Sequence, residues 1–103
     1  MDQVNLEKML EQGTDNALLR YTLGTLFLKQ KAYAQAEEHL SKAVKLDPQH
    51  SASWKQLGKA LTGMERLAEA VKSYQRGIEV AEAKGDVQAA KEMQVFLKRL
   101  SKA

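Results

Sequence analysis

At 103 residues, with 44% hydrophobic and 28% charged side chains, the chain can bury one real core but not two. It has no cysteine, which excludes disulfides, thiol catalysis and thiolate metal sites, and no apolar run approaches the roughly 20 residues that span a bilayer. The net charge of +3 and pI near 9.2 are mild, well short of the excess expected of a dedicated nucleic-acid binder.

The opening "MDQVNLEKML" carries Asp2 and Glu7 and lacks a basic-then-apolar layout, so it does not read as a secretory signal, and the expected compartment is cytoplasmic. Residues 1–16 hold a short apolar set, Leu6, Met9 and Leu10, followed by Gly13 as a left-handed helix cap. Two amphipathic segments follow, 16–30 and 33–46, and Pro48 closes the second of them. Next come 51–64, with Trp54, Leu57 and Leu61 on one face, and 67–84. Gly63 and Gly85 are placed to cap these two helices as Gly13 caps the first. Asp86 then caps a last helix whose stripe is Ala90, Met93, Leu97 and Leu100, with Phe96 beside it. Links this short leave room only for antiparallel helical hairpins.

The chain repeats itself. Sliding it along its own length lays "RYTLGTLF" over "WKQLGKAL", so that Leu23 falls on Leu57 and Gly24 on Gly58. The same slide puts Ala34 and Ala36 on Ala68 and Ala70, Leu40 on Tyr74, Ala43 on Gly77 and Val44 on Ile78. Small falls on small and large on large. A glycine inside a helix costs about 1 kcal/mol relative to alanine. The expected return at Gly24 and Gly58 is close approach of the hairpin's second helix, met by a small-residue ladder (Ala36, Ala43; Ala70, Gly77).

These residues resemble the tetratricopeptide repeat, W-x2-L-G-x2-Y then A-x3-F then P, at a period of about 34 residues. One copy gives Trp54, Leu57, Gly58, Leu61, Ala70 and Tyr74; the other gives Arg20, Leu23, Gly24, Phe27, Ala36, Leu40 and Pro48. Arg20 replaces the aromatic, and Glu82 stands where the second copy would carry proline, which lets its last helix run to about Lys84. Under the same slide Leu6, Met9 and Leu10 fall on Leu40, Ala43 and Val44, so the first segment resembles half of a missing hairpin. The resemblance implies an all-α fold: a short right-handed solenoid of antiparallel helical hairpins with a C-terminal capping helix. It forms a single domain over 1–103, with an N-terminal helix in 1–16, repeats at 17–50 and 51–84, and the cap at 85–103.

No catalytic constellation is present. His39 and His50 have no second histidine at metal-ligand spacing, and His39 is expected at the surface. Glu37 and Glu38 point to different sides of a helix, isolated glycines make no phosphate cradle, and the stripe position of Trp54 places it in the core. No catalytic residue, cofactor or metal is expected, and no enzymatic activity.

Charge is spread unevenly. The segments holding Arg20 and Lys29, Lys55 and Lys59, and Lys91, Lys98, Arg99 and Lys102 (against Asp86 and Glu92) each sum to +2, while the N-terminal segment is −3. The resemblance implies that the first helix of each hairpin lines a concave, peptide-binding face. The expected groove is Leu18, Tyr21, Thr25 and Leu28, then Lys55, Lys59 and Thr62, then Lys91, Val95 and Lys98. The family's clamp for the chaperone C-terminal carboxylate is not reproduced: Tyr21 and Thr25 stand at its first pair of positions and Gln56 near the next, with Lys55 and Lys59 one repeat late.

The expected function is therefore a protein–protein interaction module, an adaptor or scaffold that holds a protein or peptide partner of acidic character in a basic groove. The rival is a self-associating structural unit or a fragment of a larger repeat array, driven by Leu18, Leu28 and Val95 if they are exposed together. Nucleic-acid binding ranks third, since only Tyr21 is available for stacking. No membrane partner is expected.

Overall fold

A computed structural model describes residues 2–102, and among them the backbone forms six α-helices and no strand. They are α1 (Gln3–Glu11), α2 (Ala17–Lys29), α3 (Tyr33–Leu46), α4 (Ser51–Gly63), α5 (Leu67–Ala83) and α6 (Val87–Ser101). Asp2, Asn16 and Asp86 start α1, α2 and α6 by accepting a hydrogen bond from a backbone amide of the first turn, at 2.9, 2.8 and 3.0 Å. At 17 residues α5 outruns the 14 of α3 because no proline follows it.

α2 packs on α3 and α4 on α5 as antiparallel hairpins, α3 bridges to α4, and α6 lies on α5. The core runs through Leu40, Leu57, Leu61, Tyr74 and Met93, all at most 6% exposed. A second cluster of Leu6, Leu19 and Leu23 seats α1 on α2, so α1 occupies the place of a second helix from a preceding hairpin.

The helix ends correct one expectation. Gly63 is not a left-handed cap: it lies inside α4, and the left-handed residue is Glu65 (φ 60°), with Lys31 (φ 58°) its counterpart one repeat earlier. At both ends the amide two residues past the cap reaches back to the helix, Ala32 N to Phe27 O and Arg66 N to Leu61 O, each at 2.9 Å. Gly13 (φ 94°) and Gly85 (φ 74°) close α1 and α5 in the same way. Gly63 instead leaves room for the Tyr33 ring, whose Cδ1 would lie 2.4 Å from any Cβ there. A side-chain-bearing residue in the left-handed region is strained by about 1 kcal/mol or more. Exposed Glu65 replaced by glycine should therefore stabilise the chain, by up to about 1 kcal/mol after the extra unfolded-state freedom of glycine is subtracted. Urea unfolding tests this, and a midpoint that stays put or falls in Glu65→Gly contradicts it.

The helical glycines correct a second. A Cβ on Gly24 would lie 2.4 Å from Leu40 Cγ, and one on Gly58 would lie 2.6 to 2.8 Å from three atoms of the Tyr74 ring. The missing methyl makes a socket for a large side chain, at the same place in each repeat, rather than for bare backbone. Gly77 sits under Met93 Sδ (2.4 Å from a built Cβ) and Trp54 Cβ (2.9 Å), so it receives the last helix as well as α4.

Arg20, where the repeat pattern has an aromatic, is only 7% exposed. Its guanidinium donates to both carboxylate oxygens of Asp15, at 2.8 and 3.0 Å, and to Nδ1 of His39 at 3.0 Å. A guanidinium only donates, so that nitrogen must be unprotonated. Burial, and then the Arg20 cation, hold the His39 pKa below its ordinary value, and the Arg20 hydrogen bond holds that of Asp15 low. The His39 ring stacks on Phe27 with centroids 5.5 Å apart. His39 is thus a half-buried packing residue and not a surface one, because Arg20 needs an acceptor at that depth.

Candidate functional site

α2, α4 and α6 are the first helices of their units, and they lie side by side, α2 against α4 and α4 against α6. On α2, Leu18 is 70% exposed, and the half-buried Tyr21 ring meets the His50 ring edge-on at 4.8 Å. The Thr25 hydroxyl is buried and has no hydrogen-bond partner, as does Gln56 Oε1. Leu28 packs on the core. Arg20 is spent on Asp15, so its charge does not reach this face.

Along α4 the three expected residues have different surroundings. Lys55 pairs with Glu92 at 3.1 Å, and this bond holds the Glu92 carboxyl below its usual range. Both line a hollow of about 240 Å³ with Asp86, at the N-terminal ends of α4 and α6. One turn on, Lys59 Nζ lies 5.1 Å from the Phe96 ring centroid, and Arg99 Cζ lies 5.6 Å from the same centroid. Thr62 donates its hydroxyl to the Gly58 carbonyl at 2.7 Å. Lys59, Thr62 and Arg99 rim a second cleft of about 300 Å³, with Phe96, Leu100 and Tyr74 as its floor. Burial pushes the Tyr74 phenol pKa upward, so it stays neutral there.

On α6 the geometry divides the candidates. Lys91 lines a separate hollow with Glu82, Gly85 and Gln94, against the end of α5 and away from Lys55 and Lys59. Val95 is 49% exposed and Lys98 is exposed. Among the residues of α6 that do face α4 are Glu92, Phe96 and Arg99, none of them in the expected groove. A signal for them existed in the sequence: Phe96 stands beside the apolar stripe, and Arg99 follows it by one helical turn.

Two hairpins of paired helices that repeat in sequence and in structure, flanked by single helices, define a helical-repeat protein. Residues 27–93 match the family model for the tetratricopeptide repeat, and the chain belongs to that family. It is 48% identical over 98 residues to a TPR repeat-containing protein of Pseudomonas aeruginosa, covering 95% of this chain and 93% of that one. Among solved structures it is similar to a Bordetella parapertussis protein, with a TM-score of 0.84 and 43% identity over 99% of this chain and 89% of the other. It is also similar to the second TPR domain of the human RPAP3 protein, solved in complex with the HSP70 peptide SGPTIEEVD. That likeness has a TM-score of 0.63 and 26% identity over 77% of this chain and 67% of the other. No helix among the described residues is long and apolar enough to cross a membrane.

Proposed function

We propose that this chain is a protein-interaction module that holds a peptide segment of acidic character along the face of α2, α4 and α6. The groove runs from Leu18, Tyr21 and Thr25 through Lys55, Lys59 and Thr62, with Val95 and Lys98 on its far flank and Lys91 set apart from it against the end of α5. The observation that carries this reading is the charge of the α4–α6 seam. Lys55, Lys59 and Arg99 stand along it, and among the described residues only Lys55 has a carboxylate within ion-pair distance. The positive charge is concentrated at one end, which would give a bound acidic segment a direction as well as an attraction. The RPAP3 domain's peptide, itself acidic, supports the class of ligand; its identity as a chaperone tail is not carried over, since the residues that would clamp it are absent here.

The test is fluorescence anisotropy with a labelled peptide of alternating glutamate and leucine. Binding should weaken as salt rises, because charges on this surface are screened over about 8 Å at physiological ionic strength. Lys55→Gln with Lys59→Glu should weaken it about tenfold or more. Glutamine at 55 avoids setting a carboxylate directly against Glu92, and losing the Lys55–Glu92 pair and the Lys59–Phe96 contact should cost the fold no more than about 2 kcal/mol. A double variant that binds as the parent does, or binding indifferent to salt, overturns the reading. Self-association has less support: Leu28 is packed on the core, which leaves Leu18 and Val95 on helices separated by α4. Sedimentation over a range of concentrations decides between the two.

A further inference from the structure

The geometry points to a specific subsite within that groove: the cleft between the C-terminal halves of α4 and α6 takes a carboxylate carried next to an apolar side chain. The inference rests on the peptide-binding reading above and assigns it a chemistry. Lys59 and Arg99 converge on one ring, Phe96, from two helices. The floor beneath them is Phe96, Leu100 and the buried Tyr74, whose ring is stacked on Phe96 at 5.6 Å. Anion recognition and apolar burial are therefore offered within one side chain's length of each other.

Three comparisons favour an anion here over simple surface decoration. First, the aromatic ring attracts both cations but neutralises neither, since an exposed cation–π contact is weak and leaves the full charge in place. Second, the ends of α4 and α6 carry partial negative charge of about half a unit each, less than the two full positive charges above them. On α4 the last carbonyls are moreover taken up by the amides of Met64, Glu65 and Arg66. Third, the larger cleft between α3 and α5, about 390 Å³ over Trp54, Leu57 and Leu61, is electrically self-satisfied. Its rim sets Glu37 and Glu69 against Lys72 and Arg76, with Arg66 bonded to both carboxylates and Arg76 to Glu79. Among the described residues no such carboxylate lines the Phe96 cleft, which leaves its two cations available to an anionic ligand.

The probes are small. In amide-resolved NMR titrations, N-acetyl-leucine should shift Thr62, Phe96 and Leu100, while N-acetyl-leucinamide and N-acetylglycine should each act about tenfold more weakly, the loss expected when a charge-assisted contact or the apolar seat is removed. Arg99→Gln, at an exposed position, should reduce the N-acetyl-leucine response by a similar factor and lower the melting temperature by no more than about 8 °C, the loss of one exposed cation–π contact. Equal response to the amide, equal response to N-acetylglycine, or an undiminished response in Arg99→Gln overturns the proposal. A peptide ending in free leucine and an amidated peptide with glutamate beside leucine identify the source of the carboxylate, a chain terminus or an internal acidic residue. Binding of neither overturns the proposal. If the longer acidic peptide loses affinity in the Lys55→Gln, Lys59→Glu variant but keeps it in Arg99→Gln, the groove stands and this subsite falls. If it binds nowhere, the wider reading falls with it.

Discussion

Removal of residues 86–103 should leave a chain that no longer unfolds in one cooperative step and that aggregates at concentrations where the parent is soluble. Met93 is fully buried between α5 and α6 with its sulfur on Gly77, Ala90 is 4% exposed, and Phe96 covers the Tyr74 ring. Truncating one such side chain to alanine typically costs about 2–5 kcal/mol. A domain of this size has only about 5–15 kcal/mol in total. Loss of the whole helix therefore approaches the full stability and opens an apolar flank of α5 to other copies, which is why repeat stacks end in a polar-faced unit. Circular dichroism melts with sedimentation velocity measure both effects. A truncated protein that stays monomeric and melts as sharply as the parent would show that α6 is an appendage.

Gly58→Leu should cost at least about 1–3 kcal/mol, and even Gly58→Ala should destabilise the chain although alanine is the better helix former by about 1 kcal/mol. The reason is local. A Cβ at 58 would lie 2.6 Å from Tyr74 Cε1, and that ring is rigid, 2% exposed and held between α4 and Phe96. It has no free end to swing aside. For a domain of about 100 residues each kcal/mol lowers the melting temperature by about 4–8 °C, so calorimetry resolves the change. The clash is specific to one partner, so Gly58→Ala in a Tyr74→Ala background should cost less than the two changes summed. Strict additivity, or an unchanged melting temperature in Gly58→Leu, would remove the socket role from this glycine.

How far the chain could be read without coordinates differs from residue to residue. The helix spans were legible to within about two residues because amphipathic periodicity and N-caps act over one or two turns. Asn16 and Asp86 cap as their side chains dictate, and the echo of Leu23–Gly24 in Leu57–Gly58 exposes the hairpin unit. Glycines at 24 and 58 announce that something must come close. What comes close is not written locally: only packing shows that Leu40 and Tyr74 fill those sockets, and that Gly63 yields to Tyr33 while Glu65 takes the left-handed turn. A left-handed residue is set by the path the chain must follow into the next helix, and that path is a tertiary demand which can override the usual preference for glycine.

Charge shows the same division most sharply. Sequence determined that the first helices carry more lysine and arginine than carboxylate, since that is a count along a predicted face. It could not determine which of those charges remain free, because pairing joins residues distant in sequence. Arg20 is consumed by Asp15 and His39, the latter 19 positions away, and Lys55 is answered by Glu92 from 37 positions away. Lys59 and Arg99 are left facing one aromatic ring because two helices that never meet in sequence lie side by side in the stack. Coulomb attraction and burial depend on separation in space, over distances of a few ångströms, and only the fold sets those distances.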